Sequence, residues 1–362
     1  MSANAEQIEE TPLQGGAIRQ APELQPIMAF EVEVARVRSL SPHFKRITFY
    51  AEQLRQFGAN AEGQTLDLRI KVMIPSAGHP LPDFAALMEL PGMSWYQSWL
   101  RMDQHSRGFM RTYTVREARR ELGEVDVDFV LHPPVNGGPA GPAASWAEQA
   151  AVGEKMVLIG PNGLAGPCLG IEFKPGASRR LLLVGDETAV PAIAAIVESL
   201  DPETTGTVIL EVPDAADFQD FRAPDGVSIQ WLSRAGQHGI GEHGAVEHGA
   251  VEHGAVEYGA VQHGALLDAA VRAAVLPGSH IAPVELEDVD VDQEILWDTP
   301  EDDGAGQAGA APAERGCAQL YAWIAGEAAV IRELRRYLVR DVGMDRHQVA
   351  FMGYWRIGKA ES

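Results

Sequence analysis

The chain has 362 residues, enough for about two domains with cores of their own, and it carries 29 Lys and Arg against 51 Asp and Glu, a formal charge of −22. Such an acidic chain is repelled by polyanions, which excludes nucleic acid and anionic lipid surfaces as expected partners. No apolar run reaches the roughly 18 residues of a membrane span and no secretory signal is visible, so we expect a cytoplasmic protein with no membrane insertion.

The first half of the chain is typical of a small β-barrel. Residues 1–28 predict a disordered leader, because four acids and several Pro and Gly residues precede any long apolar stretch. Acidic and apolar residues alternate over 124–131, which predicts a strand with the acids towards solvent. Several such runs, separated by Gly and Pro turns, predict an antiparallel barrel domain over 29–175. The predicted strands are 29–37, 44–49, 65–74, 108–115, 124–132 and 156–159.

The second half, residues 176–362, alternates predicted strands and helices. The run 181–184 is apolar throughout, as in a strand buried on both faces, and a Gly-led turn and an apolar helix follow it. This alternation predicts a parallel sheet in a Rossmann-like α/β domain. Further strands are predicted at 207–212, 228–232, 319–324 and 349–353, and helices at 189–200, 266–275 and 327–340.

A low-complexity insertion at about 236–315 interrupts this second domain. It holds sixteen acids and two bases, a net charge of −14, so the predicted domains themselves are only mildly acidic. From His243 the sequence His-Gly-Ala-Val-Glu repeats every five residues and decays to His263-Gly-Ala. That period aligns neither on a helix nor on a strand, and we interpret the repeat as a surface loop. Trp297, set between acidic runs, is a candidate docking anchor.

The chain has two cysteines, Cys168 and Cys317, and no Cys-x-x-Cys motif. This excludes a disulfide framework and an iron–sulfur cluster held by this chain alone. The sequence therefore predicts no resident metal. The alternative is a metal-buffering histidine tract formed by the repeat, although spacing alone does not supply a fixed ligand geometry.

Two motifs of the barrel half suit a phosphorylated aromatic ligand. In Arg-Thr-Tyr-Thr at 111–114, alternation puts Arg111 and Tyr113 on one side, where a guanidinium can pair with a phosphate while the phenol covers an aromatic ring. The small residues of Gly-Pro-Ala-Ala-Ser at 141–145 lead into a helix predicted to begin at about Ser145, whose positive end would face a pyrophosphate. The structural alternatives are a solvated barrel strand and an ordinary serine-capped helix.

Two strand-to-helix turns and an aromatic motif complete the set. Val-Gly-Asp-Glu-Thr-Ala-Val-Pro at 184–191 lies at the carboxyl end of the first parallel strand, where the ligands of such sheets bind. Trp-Ile-Ala-Gly-Glu at 323–327 is a second turn of this kind. Gly-Tyr-Trp-Arg-Ile-Gly at 353–358 brings together two aromatics and a cation, which either serve a ligand or seal the domain interface. We expect a dinucleotide-like ligand at the first turn.

In order and spacing these motifs resemble the siderophore-interacting proteins, which are ferric-siderophore reductases of the vibriobactin-utilisation type in the ferredoxin-reductase superfamily. The resemblance covers about 29–235 and 266–358. It implies a flavin-binding β-barrel followed by a nicotinamide-binding α/β domain. It also implies an oxidoreductase that passes hydride from NADH or NADPH to FAD and then single electrons to the Fe(III) of a ferric siderophore, releasing the iron. The chain departs from the family in the loop after His132 and in the insertion.

The resemblance implies site residues as well. FAD would be bound by Arg111, Thr112, Tyr113, Thr114, Asp128, Val130, His132, Ala143, Ala144 and Ser145, with Thr114 near the reactive flavin nitrogen. The nicotinamide cofactor would be bound by Gly185, Asp186, Glu187, Thr188, Pro191, Ala325, Gly326 and Glu327. Because ferric siderophores are often anionic, we expect a cationic substrate pocket of Lys71, Arg234 and Arg356. Two alternatives remain: a reductase of free flavin, ferredoxin or quinone, and a non-enzymatic metal-buffering protein.

Overall fold

The structure is a computed structural model that describes residues 24–90, 92–132, 141–235, 238–240, 261–276, 296–300 and 320–359. Most of the predicted leader at 1–28 and most of the pentapeptide repeat lie outside the described residues. None of the helices within the described ranges has both the length and the apolar character needed to cross a membrane.

A closed antiparallel barrel forms the first part of the chain, with the strand order β1-β2-β5-β4-β3-β6. Its strands are β1 Ile27–Ser41, β2 Phe44–Tyr50, β3 Arg69–Ile74, β4 Phe109–Arg119, β5 Glu124–Val130 and β6 Lys155–Pro161. Apolar side chains of every strand fill the interior, and Phe30, Ile47 and Val127 are fully buried there. The expected six-stranded barrel is therefore present.

The acids of β5 are covered rather than solvated, contrary to the expectation from their alternation. Asp126 and Asp128 do point away from the valines, yet both are buried. Arg119 bonds both oxygens of Asp126 at 2.7 and 2.9 Å, and Arg46 bonds both oxygens of Asp128 at 2.6 and 2.8 Å. Arginines from neighbouring strands thus shield this face, because a bidentate guanidinium satisfies a carboxylate away from water.

Among the described residues, four α-helices accompany the barrel: α1 Phe84–Glu89, α2 Trp95–Leu100, α3 Gln104–Arg107 and α4 Pro142–Gln149. The first three, between β3 and β4, are not among the predicted elements. Each is short and begins at a side-chain cap, namely Asp83, Ser94 and Asp103. The fourth begins at Pro142, three residues before the predicted start at Ser145, since proline suits the first turn of a helix.

A seven-stranded sheet follows, in the order β10-β9-β8-β7-β12-β13-β11. Its strands are β7 Arg180–Asp186, β8 Thr205–Val212, β9 Val227–Ser233, β10 His238–Ile240, β11 Trp297–Asp298, β12 Leu320–Glu327 and β13 Val349–Trp355. The five central strands pair in parallel, as predicted, whereas β10 and β11 pair antiparallel at the two edges. Both edge strands come from the predicted insertion, which therefore extends the sheet at either side.

Helices pack on both faces of the sheet. They are α5 Val190–Glu198, α6 Ala265–Ala274 and α7 Ala328–Arg335, which continues as a π-helix over Arg336–Asp341. One apolar cluster continues from the barrel into the sheet, with Phe44, Leu66 and Val130 on one side and Leu183 and Trp323 on the other. The barrel and the sheet therefore share a core where they meet.

A buried carboxylate fixes this contact between the two parts. Asp67, just before β3, is fully buried and accepts bonds from Trp323 Nε1 at 2.9 Å and from the backbone N–H groups of Glu172 and Phe173 at 3.0 and 3.1 Å. Nearby, the Arg69 guanidinium lies 3.9 Å from the ring centre of Trp297. Trp297 in turn stacks on Tyr354, and Tyr354 meets Trp323 edge-on. The set Asp67, Arg69, Trp297, Trp323 and Tyr354 is called the Asp67 junction below.

Candidate functional site

Two adjacent acids, Asp186 and Glu187, lie at the carboxyl end of β7 and are called the acidic pair. Asp186 is 1% exposed and accepts four hydrogen bonds. Its Oδ1 accepts from the backbone N–H and the hydroxyl of Thr188, at 2.9 and 2.5 Å, and its Oδ2 accepts from Glu327 N–H and Trp355 Nε1, both at 2.8 Å. Asp186 therefore connects the turn at 184–191, the turn at 323–327 and the terminal aromatic motif. Burial, followed by the charge of Glu187, raises the pKa of Asp186.

Two glycines make this close approach possible. Gly326 has φ +154°, and a Cβ there would lie 2.7 Å from Asp186 Oδ2. A Cβ on Gly185 would lie 2.4 Å from the Cβ of Ala189 and 3.1 Å from the carbonyl oxygen of Ala325. The predicted nicotinamide residues of the two turns thus form one compact group around the carboxylate. Pro191 lies in the first turn of α5, at the end of the same group.

Glu187 carries a second set of charged contacts. Arg234, which follows β9, bonds both of its oxygens at 2.8 and 2.9 Å and also reaches buried Glu211 at 3.3 Å. Burial alone would raise the pKa of Glu187, but the neighbouring His263 and Arg234 outweigh it and lower that pKa to about 2. Arg234, which we predict in the substrate pocket, therefore has its guanidinium engaged by two carboxylates.

His132 joins the end of the barrel to this group. It follows β5, and its Nδ1 lies 3.6 Å from Glu187 Oε1, with its ring centre 5.7 Å from that of Trp355. Burial lowers the pKa of His132, although the charges of Glu187 and Asp186 oppose the shift. The contact places the end of the predicted flavin-edge strand beside the predicted nicotinamide turn. The changed loop after His132, residues 133–140, lies outside the described residues.

His263, the last histidine of the pentapeptide repeat, lies in the same cleft. Its Nε2 is 3.7 Å from Asp186 Oδ2 and 3.6 Å from Glu187 Oε2, and its ring stands perpendicular to Trp355 at 5.1 Å between centres. Neither ring nitrogen has a hydrogen-bond partner among the described residues. Burial would lower the pKa of His263, but Glu187 and Asp186 outweigh it and raise that pKa above its ordinary value. The sequence did not identify this residue, because its role depends on where the loop ends.

The predicted flavin strand, β4, pairs with β3 so that Arg111 lies opposite Val72, Tyr113 opposite Ile70 and Thr114 opposite Arg69. Paired residues of an antiparallel ladder share a face, so Arg111 and Tyr113 lie on one face and Thr112 and Thr114 on the other. On the first face, the Tyr113 ring packs 4.4 Å from the Phe129 ring centre. On the second face, Thr112 accepts a bond from Lys71 Nζ at 2.6 Å. Thr114 is buried.

The start of α4 offers anion-binding geometry. Ala143 and Ala144 lie in its first turn, where backbone N–H groups have no partner within the helix, whereas Ser145 N–H already bonds Gly141 carbonyl oxygen at 2.9 Å. A cavity of about 690 Å³ opens beside this turn, lined by Pro142, Ser145 and Trp146 of α4 and by residues of the β3 and β4 ends. These features fit the pyrophosphate-bearing part of a dinucleotide such as FAD.

The remaining predicted residues are placed as follows. Asp128 is held by Arg46, and Val130 is buried in the core shared by barrel and sheet; their contacts with FAD stay a prediction. Lys71 lies on β3 beside Thr112, and Arg356 follows β13 in a short bridge to Lys359. A pocket containing Lys71, Arg234 and Arg356 stays a prediction.

Known protein families match both parts of this architecture. Residues 33–165 match the siderophore-interacting FAD-binding domain, and residues 178–358 match the siderophore-interacting protein model. The chain belongs to the siderophore-interacting protein family. The two matches follow the division into barrel and sheet, so this siderophore-interacting protein has the family's flavin-binding barrel and its α/β part in the expected order.

Related proteins agree with this assignment. An uncharacterised protein of Mycobacterium tuberculosis is 28% identical over 339 residues, covering 93% of each chain. The ferric vibriobactin reductase ViuB of Vibrio cholerae is 31% identical over 203 residues, covering 56% of this siderophore-interacting protein and 66% of ViuB. Two crystal structures share the fold. A siderophore utilization protein from T. fusca has a TM-score of 0.59 at 22% identity, covering 93% and 96% of the two chains, and SipS from Aeromonas hydrophila has 0.55 at 24%, covering 92% and 93%.

Proposed function

We propose that this siderophore-interacting protein is an NADH- or NADPH-dependent ferric-siderophore reductase. One observation carries the proposal: His132, at the end of the barrel strand β5, lies 3.6 Å from Glu187 in the turn that follows β7. The barrel face that suits a flavin and the sheet edge that suits a nicotinamide therefore border one cleft. Membership of the family and the 31% identity to ferric vibriobactin reductase support the choice of electron acceptor.

The residues have separable tasks in this mechanism. The first-turn amides of Ala143 and Ala144 would hold the pyrophosphate of FAD, and Arg111 would pair with its phosphates. Tyr113 would cover the ring system and Thr114 would lie near its reactive nitrogen, with Thr112, Asp128, Val130 and His132 forming the rest of its surroundings. Bound FAD would supply the step from two-electron to one-electron chemistry that a nicotinamide donor and Fe(III) require.

On the sheet side, the compact group around Asp186 would receive the donor. Gly185 and Gly326 let the two turns pack directly against Asp186 and Ala325, which fixes the shape of the surface that would face the donor. Glu187, Thr188, Pro191, Ala325 and Glu327 would complete the contact surface. For the acceptor, Lys71 and Arg356 would attract an anionic ferric complex.

The number of electrons transferred sets the stoichiometry of the proposed reaction. One NADH or NADPH loses a hydride, two Fe(III) ions each gain one electron, and one proton is released. Because siderophore oxygen donors hold Fe(II) far more weakly than Fe(III), the reduction releases iron. In this proposal the protein positions the flavin, the donor and the ferric complex, and no side chain forms a covalent bond with the substrate.

Anaerobic turnover tests the proposal. Purified protein loaded with FAD is mixed with NADH or NADPH, and the flavin absorbance is followed before and after addition of a ferric siderophore, with released Fe(II) trapped by a chromogenic chelator. We expect bleaching, then recovery with two Fe(II) per NADH or NADPH oxidised. Absence of bound flavin contradicts the proposal, as does bleached flavin that is reoxidised by ferredoxin or quinone and not by ferric siderophore.

The substrate pocket has its own test. Lys71→Ala and Arg356→Ala should each raise the apparent KM for an anionic ferric siderophore by about fivefold, as expected for loss of one charged contact. The exposed Arg222 provides a matched control, because Arg222→Ala removes a cation from the sheet part of the surface. Unchanged KM in both pocket variants would show that the pocket lies elsewhere.

A further inference from the structure

The chain is held in place directly after His263, at the end of the repeat. Glu211, fully buried on β8, accepts bonds from the backbone N–H groups of Gly264 at 2.7 Å and Leu267 at 3.0 Å. Gly264 has φ +81°, and a Cβ there would lie 2.2 Å from the Val330 side chain. The chain can make this close passage only with glycine, and the residue before it faces the acidic pair.

The surroundings of His263 are almost entirely charged. The groups facing it come from four elements: Asp186 and Glu187 after β7, Glu211 on β8, Arg234 after β9 and His132 after β5, while Trp355 of β13 covers one side. The imidazole is 13% exposed, so water screens these charges little. A protonated ring is favoured in such a place, since the nearest two groups are carboxylates.

The imidazolium fits these carboxylates better than a metal ion does. The carboxylate oxygens nearest His263 already accept bonds from Trp355, from Glu327 N–H and from Arg234. A metal ion would have to displace these donors or share their oxygens beside a guanidinium, which repels it. Three carboxylates, Asp186, Glu187 and Glu211, lie beside the single guanidinium of Arg234, so a charged His263 offsets part of the remaining negative charge. The repeat therefore ends in a side chain that lowers the net negative charge beside the acidic pair.

We propose that His263 is an internal competitor for the nicotinamide pocket: its imidazolium occupies the acidic pair, and NADH or NADPH binds when it withdraws. The inference rests on the proposed function, because it takes the acidic pair as part of that pocket. It gives the insertion a task, which is to set the affinity for the electron donor. His263 is thus a residue that determines KM rather than one that takes part in the chemistry.

The competition depends on pH with a definite sign. A histidine whose pKa is raised in the folded protein stabilises the docked state below its ordinary pKa near 6.5, and that stabilisation is lost as the pH rises through the raised value. Docked His263 lowers the fraction of molecules that can bind the donor, and the apparent affinity falls by that fraction. The affinity for the donor should therefore increase as the pH rises from about 6 to 8.

Two charge variants separate the charge from the shape of residue 263. His263→Gln is neutral and His263→Lys keeps a fixed positive charge, so they correspond to the two forms of the wild-type ring. The ligands are the tetrahydro analogues of NADH and NADPH, which have a neutral ring and cannot donate hydride. Their binding to the FAD-loaded protein is titrated from pH 6 to pH 8 by the change in flavin absorbance, with exposed His347→Gln as the matched control.

We expect His263→Gln to bind the analogue about tenfold more tightly than wild type at pH 6, with no dependence on pH. His263→Lys should bind the analogue weakly at every pH from 6 to 8. For wild type and His347→Gln, the affinity should rise over this pH range from the value of His263→Lys towards that of His263→Gln. Equal, pH-independent affinities in wild type and both variants would overturn the inference and leave the proposed function intact. Tighter binding at low pH, lost in His263→Gln, would also overturn it, because His263 would then be a phosphate ligand. No binding of either analogue to any variant would instead contradict the proposed function.

Discussion

Two buried carboxylate sites hold the barrel and the sheet together, and they are built differently. At the Asp67 junction, three neutral N–H donors satisfy the carboxylate, and aromatic rings surround it. At the acidic pair, Asp186 also has neutral donors, but its neighbour Glu187 is balanced by the charged groups Arg234 and His263. Neutral, fixed donors suit a structural joint, whereas charged neighbours make a site responsive to ligands and pH. The difference explains why we assign function to one site only.

Removing the carboxylate of the Asp67 junction should have the largest effect on stability. Asp67→Ala leaves three buried N–H donors without an acceptor, which costs about 3 kcal/mol in the free energy of unfolding. Asp67→Asn keeps one acceptor oxygen, so its free energy of unfolding should fall by less than that of Asp67→Ala. The measurement is chemical denaturation of the FAD-loaded protein, with exposed Asp225→Ala as the control, expected within about 0.5 kcal/mol of wild type. A loss no greater than the control's would show that the junction does not hold the two parts together.

Trp297 tests the contribution of the insertion to the same junction. Trp297→Ala removes the Arg69 contact and the stack on Tyr354 and should cost about 2 kcal/mol of unfolding free energy. Trp297→Phe keeps an aromatic ring and should lose only about half as much unfolding free energy as Trp297→Ala. Thermal unfolding reports the change, while the affinity for the nicotinamide analogue stays at the wild-type value. Loss of analogue binding in Trp297→Phe at unchanged stability would erase the distinction between the two sites.

Gly326 tests the acidic pair without touching its charges. In Gly326→Ala the new Cβ would lie 2.7 Å from Asp186 Oδ2 at a backbone φ of +154°, so the carboxylate must move. We expect the rate of flavin reduction by the nicotinamide donor to fall about tenfold, equivalent to about 1.4 kcal/mol, with the FAD content unchanged. Gly92→Ala is the matched control, because its φ is +79° and no atom lies within 4 Å of its Cβ. Equal rates in the two variants would separate Asp186 from donor binding.

The sequence predicted the central strands because their patterns reflect burial: alternation in β5 and an apolar run in β7. It missed β10 and β11, since edge strands of two or three residues in an acidic, Gly-rich segment carry no periodic signal. The resemblance implies that the turns at 184–191 and 323–327 bind the nicotinamide, which stays a prediction, and Gly326 shows why the two turns can pack closely. His263 and Asp67 could not be predicted, because a single residue of a decaying repeat or a lone acid between leucines acquires its role from tertiary contacts.

Glu187 and Asp67 should also respond to acid with opposite signs, and this is the smallest effect we predict. Its neighbours lower the pKa of Glu187 to about 2, so Glu187 contributes stability above the ordinary glutamate pKa near 4.3, and this is lost as the pH falls towards 2. Burial raises the pKa of Asp67, so acid relieves an unfavourable charge there. Urea denaturation at pH 6 and pH 3 measures the change in unfolding free energy that each carboxylate contributes.

Between pH 6 and pH 3, the free energy of unfolding of wild type should fall by about 1 kcal/mol more than that of Glu187→Gln. It should fall by less than that of Asp67→Asn. Exposed Glu62→Gln should follow wild type, because water surrounds that carboxylate in both states. If the acid-induced change in unfolding free energy differed from that of wild type in the same direction for Glu187→Gln and Asp67→Asn, the charged neighbours of Glu187 would not outweigh its burial. The acidic pair would then be a second structural joint, and the competition by His263 would have no electrostatic basis.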